Sequence, residues 1–219
     1  GYYFDTINKE LAKNRESENP LPEDEIKQKC YIDQCKVPLV KWKDYQSMVP
    51  TEEEVIGWFT QWPDASIGVV TGAISGVVVF DLDSQKAFDY AQAQGGFPET
   101  VRVKTGKGEH VWVKYPGFFI KPDVNKKLDM DIRGDGGFVV APPSYHGSGN
   151  QYEWIEGHAL GDIELAPCLP WMIQYLKDNA TGQKKIADKK PAPSKKNSQK
   201  TTAPNEIADI IKNGCEQGS

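Results

Sequence analysis

The stretch from Val77 to Ser84, with the sequence VVVFDLDS, constrains the fold of this chain more than any other segment. Four apolar residues, three of them β-branched, predict a central strand that is buried on both faces. Because side chains alternate along a strand, Asp81 and Asp83 are expected on one face and Leu82 on the other. Two carboxylates this close repel each other unless a cation separates them, and Mg²⁺ or Mn²⁺ fits that role. The alternative is a pair of solvated acids at a strand end and a helix start.

Turn and capping signals divide the rest of the chain into short elements. Thr51 and Glu54 form a capping box, and Ser84 is expected to cap a helix that Gly95 and Gly96 close. A strand at 66–70, followed by a glycine-containing turn, predicts a β-hairpin with the central strand. Further strands are predicted at 100–104, 109–115, 128–133, 138–141 and 151–155, and a closing helix at 169–177.

Charged residues recur on three of these strands. Asp81 with Asp83, His110, and Asp131 with Arg133 are predicted to meet on one face of a sheet. Three carboxylates are the ligand set that a two-metal phosphoryl-transfer site needs. His110 and Arg133 would then supply donors to a triphosphate.

The turn between two of the strands also suits phosphate. In the segment Thr105-Gly106-Lys107-Gly108, the glycines allow backbone N–H groups to approach a phosphate, and Lys107 adds a positive charge. Each feature taken alone has a structural explanation, because a glycine-rich hairpin turn and a single buried histidine are common. Their combination and order favour a nucleotide site.

The ordered segments 69–83, 105–110 and 130–144 resemble the bifunctional primase–polymerase (prim-pol) family of the archaeo-eukaryotic primase superfamily. The similarity covers about residues 25–178. The family's first motif, Asp-x-Asp/Glu, is matched by Asp81 and Asp83, and its third, an acidic residue on a strand, by Asp131. The second is commonly Ser-x-His. Here it reads Gly108-Glu109-His110, so the serine is absent, and Lys107 and Thr105 are the candidates to replace its phosphate contact.

The resemblance implies an α+β fold in which an RRM-like antiparallel catalytic palm joins a smaller α/β subdomain. It implies template-directed synthesis from nucleoside triphosphates (dNTP or NTP) with two Mg²⁺ or Mn²⁺ ions, and a DNA template and primer as partners. Residues 205–219 resemble the start of a helical primase C-terminal domain, which in such chains often precedes a helicase in phages, plasmids and other mobile elements. A cytoplasmic protein of a prokaryotic or phage-infected cell is expected.

The charge distribution supports a division into three parts: a catalytic domain at 1–178, a disordered linker at 179–204, and the helical start at 205–219. The net charge is −5, yet residues 181–219 carry eight lysines against four acidic residues. A basic tail of this kind suits either contact with a phosphate backbone or a solvated linker. The four cysteines have no zinc-site spacing, so reduced thiols are expected, and no stretch is apolar enough to cross a bilayer.

Two other functions are compatible with these patterns. An RRM-like sheet can stack single-stranded bases on exposed aromatic rings without catalysis. A metal-dependent nuclease also needs clustered carboxylates. An ATPase motor is not indicated, since the chain has no Gly-x-x-x-x-Gly-Lys-[Ser/Thr] segment.

Overall fold

The computed structural model describes residues 2–179, with side chains from residue 8 onward except at position 34. The predicted linker and helical start therefore lie, from residue 180, outside the described residues. None of the described helices is long and apolar enough to cross a membrane. The helices are α1 (Tyr2–Arg15), α2 (Glu23–Gln34), α3 (Glu52–Gln61), α4 (Gln85–Ala93) and α5 (Pro170–Asn179), and a 3₁₀ turn spans Trp42–Gln46. The strands are β1 (Ile67–Val70), β2 (Val77–Leu82), β3 (Arg102–Lys104), β4 (Glu109–Lys114), β5 (Met130–Arg133), β6 (Phe138–Ala141) and β7 (Glu153–Trp154).

Five strands form an antiparallel sheet in the order β5-β2-β4-β3-β7. Strands β2, β3, β4 and β5 follow one another along the chain. The first of them, β2, lies between β5 and β4 in the sheet, and α4 connects β2 to β3. This is the strand order of an RRM-like palm, and the predicted α+β class is confirmed. The usual second crossover helix is missing between β4 and β5. Instead α5, which follows the last strand, packs on the sheet face that α4 also covers.

The alternation of side chains along β2 explains why this strand is central. Val78, Phe80 and Leu82 point to the face covered by α4 and α5, whereas Val77 and Val79 point to the opposite face. All five are at least nine-tenths buried. Phe80 packs edge-on against the ring of Phe97, at 5.6 Å between centroids. Burying such a side chain contributes about 1.5–3 kcal/mol, so both faces of β2 stabilise its position.

The predicted helix boundaries are confirmed at two sites. In α3, Glu54 N–H donates to Thr51 Oγ1 (3.2 Å) and Thr51 N–H donates to Glu54 Oε2 (2.8 Å), which completes the capping box. Ser84 is the N-cap of α4, but its hydroxyl donates to Asp129 Oδ2 (3.0 Å) instead of capping the helix. The chain leaves α4 through Gly95 and Gly96, both with positive φ.

The predicted hairpin between β1 and β2 is wrong. Strand β1 pairs with β6 in a separate two-stranded sheet, and only an isolated bridge joins Gly72 to Val77. Gly72 has φ +102°, and a Cβ there would lie 2.7 Å from Asp135 Cα, so the bend requires glycine. Pairing with β6 lets Val69 and Val140 pack on the second face of the main sheet, which a local hairpin would not cover.

Candidate active site

Strand register places three of the predicted site residues side by side. Asp81 on the central strand β2 lies opposite His110 on β4 and opposite Asp131 on β5. Residues in register on neighbouring strands share a sheet face. The predicted meeting of these three side chains on one face is therefore confirmed. The second acid of the Asp-x-Asp pair, Asp83, lies just beyond the end of β2 and is exposed.

Arg133 joins two of the acids. Its Nη2 atom donates to Asp81 Oδ2 at 3.1 Å and to Asp131 Oδ2 at 3.0 Å. The other oxygen of Asp131 accepts from the backbone N–H of Asn125 at 3.1 Å. Asn125 in turn donates through its side-chain amide to the Tyr175 hydroxyl on α5 (3.0 Å), so the closing helix helps to fix Asp131.

His110 lies against Asp81 and is almost completely enclosed. Its Nε2 atom is 3.4 Å from Asp81 Oδ1, and 6% of the side chain is exposed. Its Nδ1 atom is buried and has no hydrogen-bond partner among the described residues. Burial by itself raises the pKa of Asp81, but the hydrogen bond and charge of His110, with the Arg133 guanidinium, outweigh it and lower the pKa to about 2. His110 therefore contacts the Asp81 carboxylate and does not face solvent.

The other two acids are in the opposite electrostatic situation. Although Asp83 is exposed, partial desolvation of its carboxyl group and then the negative charge of Asp81 raise its pKa above the ordinary value. Burial also raises the pKa of Asp131, although Arg133 opposes the shift. The three carboxylates therefore differ: Asp81 is held ionised by its partners, while Asp83 and Asp131 retain part of the repulsion that a bound cation would relieve.

The turn at 105–108 is organised by Thr105. Its Oγ1 atom accepts from the backbone N–H groups of Lys107 (3.3 Å) and Gly108 (3.0 Å), and its own N–H donates to Gly108 O (2.9 Å). Two of the N–H groups expected to approach phosphate are thus already bonded within the turn. That Thr105, Gly106, Lys107 and Gly108 bind nucleotide remains a prediction.

Gly108 also explains the missing serine. A Cβ at this position would overlap the carbonyl oxygen of Leu82, because the backbones of the turn and of the end of β2 touch there. No side chain fits at position 108 unless one of these segments moves. Glycine at position 108 therefore lets the turn that carries Lys107 lie next to Asp83, but the serine hydroxyl of the family's second motif is then absent.

Three residues that no sequence pattern indicated lie near the acids: Tyr152, His146 and Lys36. The ring of Tyr152 lies between those of His110 (5.9 Å between centroids) and His146 (6.1 Å). Burial, then the charges of Asp81 and Asp83, raises the pKa of Tyr152 to about 12. Burial and then the charges of Lys36 and Lys107 lower the pKa of His146.

The loop that carries His146 is held between α2 and the turn. A Cβ on Gly106 would lie 3.0 Å from the His146 ring, and Asn150 Nδ2 donates to Gly106 O at 3.0 Å. On its other side, Gly147 packs on Ile32 of α2, where a Cβ would lie 2.7 Å from Ile32 Cα. A histidine in the Gly- and Ser-rich segment 144–150 was visible in the sequence, but no local pattern could have placed the end of α2, with Lys36, beside it.

The carboxylates suit a divalent cation in their chemistry but not in their present arrangement. Asp81, Asp83 and Asp131 supply the hard oxygen ligands that Mg²⁺ and Mn²⁺ prefer. Among the side chains that the structure describes, however, no group of three His, Cys, Asp or Glu residues is arranged so that it could hold a metal ion. Arg133 is bonded to one oxygen of Asp81 and one of Asp131, so these two oxygen atoms are not free for a cation.

Comparison with known proteins gives one family. A family model described as the N-terminal domain of bifunctional DNA primase/polymerase (Prim-Pol) matches residues 20–171. That range contains all the acids above, the turn, His110, His146 and Tyr152. No match was found among curated proteins.

Proposed function

Because this chain belongs to the bifunctional DNA primase/polymerase (Prim-Pol) family, we propose that it carries out template-directed nucleotidyl transfer by a two-metal mechanism at Asp81, Asp83 and Asp131. The observation that carries the proposal is the register: Asp81 is flanked on one sheet face by Asp131 and by His110. Acids gathered on one sheet face repel one another unless positive charge lies among them, and a set of three carboxylates is what two divalent cations require.

The chain's own residues have separable tasks in this reaction. The three carboxylates would hold the cations, which would supply positive charge to the phosphates and activate the primer 3′-hydroxyl. His110 orients Asp81 and keeps it ionised. Arg133 and Lys107 would bind the triphosphate, with Lys36 as a further cation whose charge reaches Asp83. In the transfer, the 3′-oxygen forms a bond to the α-phosphorus while the bond to the leaving pyrophosphate breaks.

The alternative of an RRM-like module that stacks bases on its sheet is disfavoured by burial. The aromatic side chain in the middle of the candidate face, Trp112, is 1% exposed, and Tyr152 is 5% exposed. Strands β1 and β6 contribute Val69 and Val139 to the same cluster. Bases cannot stack on rings that the protein already covers.

The test is a gel assay with a labelled primer annealed to a longer template, supplied with dNTPs or NTPs and with Mg²⁺ or Mn²⁺. The proposal predicts metal-dependent lengthening of the primer that follows the template sequence. Metal-dependent shortening would instead identify a nuclease. Template binding that is unaffected by Mn²⁺, without any change in primer length, would identify a binding module.

A further inference from the structure

Arg133 occupies the position between two acids where a cation is needed. One nitrogen, Nη2, donates to Oδ2 of both Asp81 and Asp131. The remaining oxygens of these acids are engaged as well: Asp81 Oδ1 faces His110, and Asp131 Oδ1 accepts from Asn125. The carboxylates are 14% and 13% exposed, so the guanidinium replaces much of their lost hydration.

A guanidinium and a divalent cation compete for the same lone pairs. A cation bound by Asp81 and Asp131 would have to displace Arg133 or lie against its positive charge, and both are unfavourable. The Arg133 side chain is 31% exposed and more accessible than either acid. It can therefore turn outward without unpacking the core, provided that another anion receives it.

Resting on the proposed function, we propose that Arg133 is an internal substitute for the divalent cation, and that nucleotide releases it. In the free protein the guanidinium offsets part of the negative charge of Asp81 and Asp131 and suppresses metal binding. When a triphosphate arrives, its oxygens offer Arg133 a new anionic partner that the guanidinium can bind through two nitrogens, and the vacated carboxylates accept the metal. Metal and nucleotide then bind with positive coupling, which must be reciprocal. Free metal therefore binds at this site only weakly until nucleotide is present.

The experiment is a titration of the full chain with Mn²⁺, with unbound ion measured by electron paramagnetic resonance, in the presence and absence of a non-hydrolysable dNTP analogue. Wild-type protein is expected to bind Mn²⁺ weakly alone and more tightly with nucleotide. Arg133→Gln removes the competing hydrogen bonds, so its nucleotide-free Mn²⁺ affinity should rise roughly ten- to hundredfold. The increase in Mn²⁺ affinity that nucleotide causes should be smaller in this variant by a similar factor.

Lys107→Gln is the matched control. It also removes one positive charge near Asp83, but Lys107 has no hydrogen bond to any of the three acids among the described contacts. Its nucleotide-free Mn²⁺ affinity should rise only a fewfold. An equal rise in both variants would mean that only net charge matters, and no rise in Arg133→Gln would mean that Arg133 does not compete with metal. Either result overturns the proposal.

A second variant covers the case in which Arg133→Gln does not fold. Arg133→Lys keeps the positive charge, but the strongly hydrated lysine ammonium bonds to the two carboxylates less well than the planar guanidinium does. A smaller rise in Mn²⁺ affinity is therefore expected. Unchanged affinity in this variant would also contradict the proposal. Failure of the proposed function is distinguishable: wild-type protein would then neither extend primers nor bind Mn²⁺ with nucleotide present.

Discussion

His110 lies opposite Asp81 in strand register, with its Nε2 atom 3.4 Å from the carboxylate oxygen Oδ1. The sequence favours a role for His110 as a phosphate donor. The structure places it so that one ring nitrogen faces Asp81 and the other, Nδ1, is buried. The imidazole thus contacts the central acid in this structure, and its contact with nucleotide stays a prediction.

Replacing His110 by Ala is expected to raise the pKa of Asp81 toward its ordinary value, because the hydrogen bond and charge that lower it are lost. The measurement is a ¹³C NMR titration of the Asp81 carboxyl group in wild-type and variant proteins, down to the acid limit of folding. The control is His158→Ala, since that ring bonds to the Thr100 carbonyl (2.8 Å) instead. An unchanged Asp81 pKa in His110→Ala would show that the imidazole does not act on this acid.

The stability contributed by Asp81 should depend on pH with a definite sign. Its pKa is lowered in the folded protein from 3.8 to about 2. This contribution is complete above the unfolded-state pKa, and it is lost as the pH falls through the folded-state value. A shift of this size corresponds to about 2 kcal/mol. Urea unfolding should show that the stability difference between wild type and Asp81→Asn shrinks from pH 5 toward pH 3. A difference that grows over this range would contradict the assignment.

Replacing the three acids one at a time by neutral residues should change the stability of the protein by different amounts. Repulsion alone suggests that removing any of them leaves stability equal or slightly raised. The structure changes this expectation, because Arg133 bridges Asp81 and Asp131 but not the exposed Asp83. In thermal unfolding without metal, Asp83→Asn should match or exceed wild type, whereas Asp81→Asn should unfold earlier, since it leaves Arg133 and His110 without their partner. Equal effects of the two substitutions would refute this distinction.

Gly108→Ala should destabilise the protein by about 1–3 kcal/mol, because its Cβ would overlap the Leu82 carbonyl oxygen and force the turn away from β2. The matched control is Gly57→Ala within α3, where a Cβ meets nothing within 4 Å. That substitution should stabilise the protein by up to about 1 kcal/mol through helix propensity. Chemical denaturation of both variants provides the comparison. A Gly108→Ala variant as stable as wild type would show that the turn does not press on β2.

The parts of the fold and site that the sequence could predict are those governed by local patterns. The apolar run predicted that β2 is a buried strand, and the alternation of side chains along it predicted that Asp81 and Leu82 lie on opposite faces. The pairing of β1 with β6 was not predictable, because it joins segments about 70 residues apart. The position of Tyr152 near the acids was not predictable either, because it follows a loop that packs on α2. The bridge from Arg133 depends on side-chain conformation, which no periodicity encodes.

The most direct test of the central claim is a single-turnover assay of nucleotide incorporation into a primed template. It compares wild-type protein with Asp81→Asn, Asp83→Asn and Asp131→Asn. The control is Asp89→Asn, an exposed acid on α4 whose carboxylate accepts from Gln85 (3.0 Å). We predict that each of the three site substitutions abolishes incorporation in folded protein, because each removes an anionic ligand of the cation pair, while the control retains the wild-type rate. Near wild-type incorporation by any of the three would remove that residue from the two-metal site.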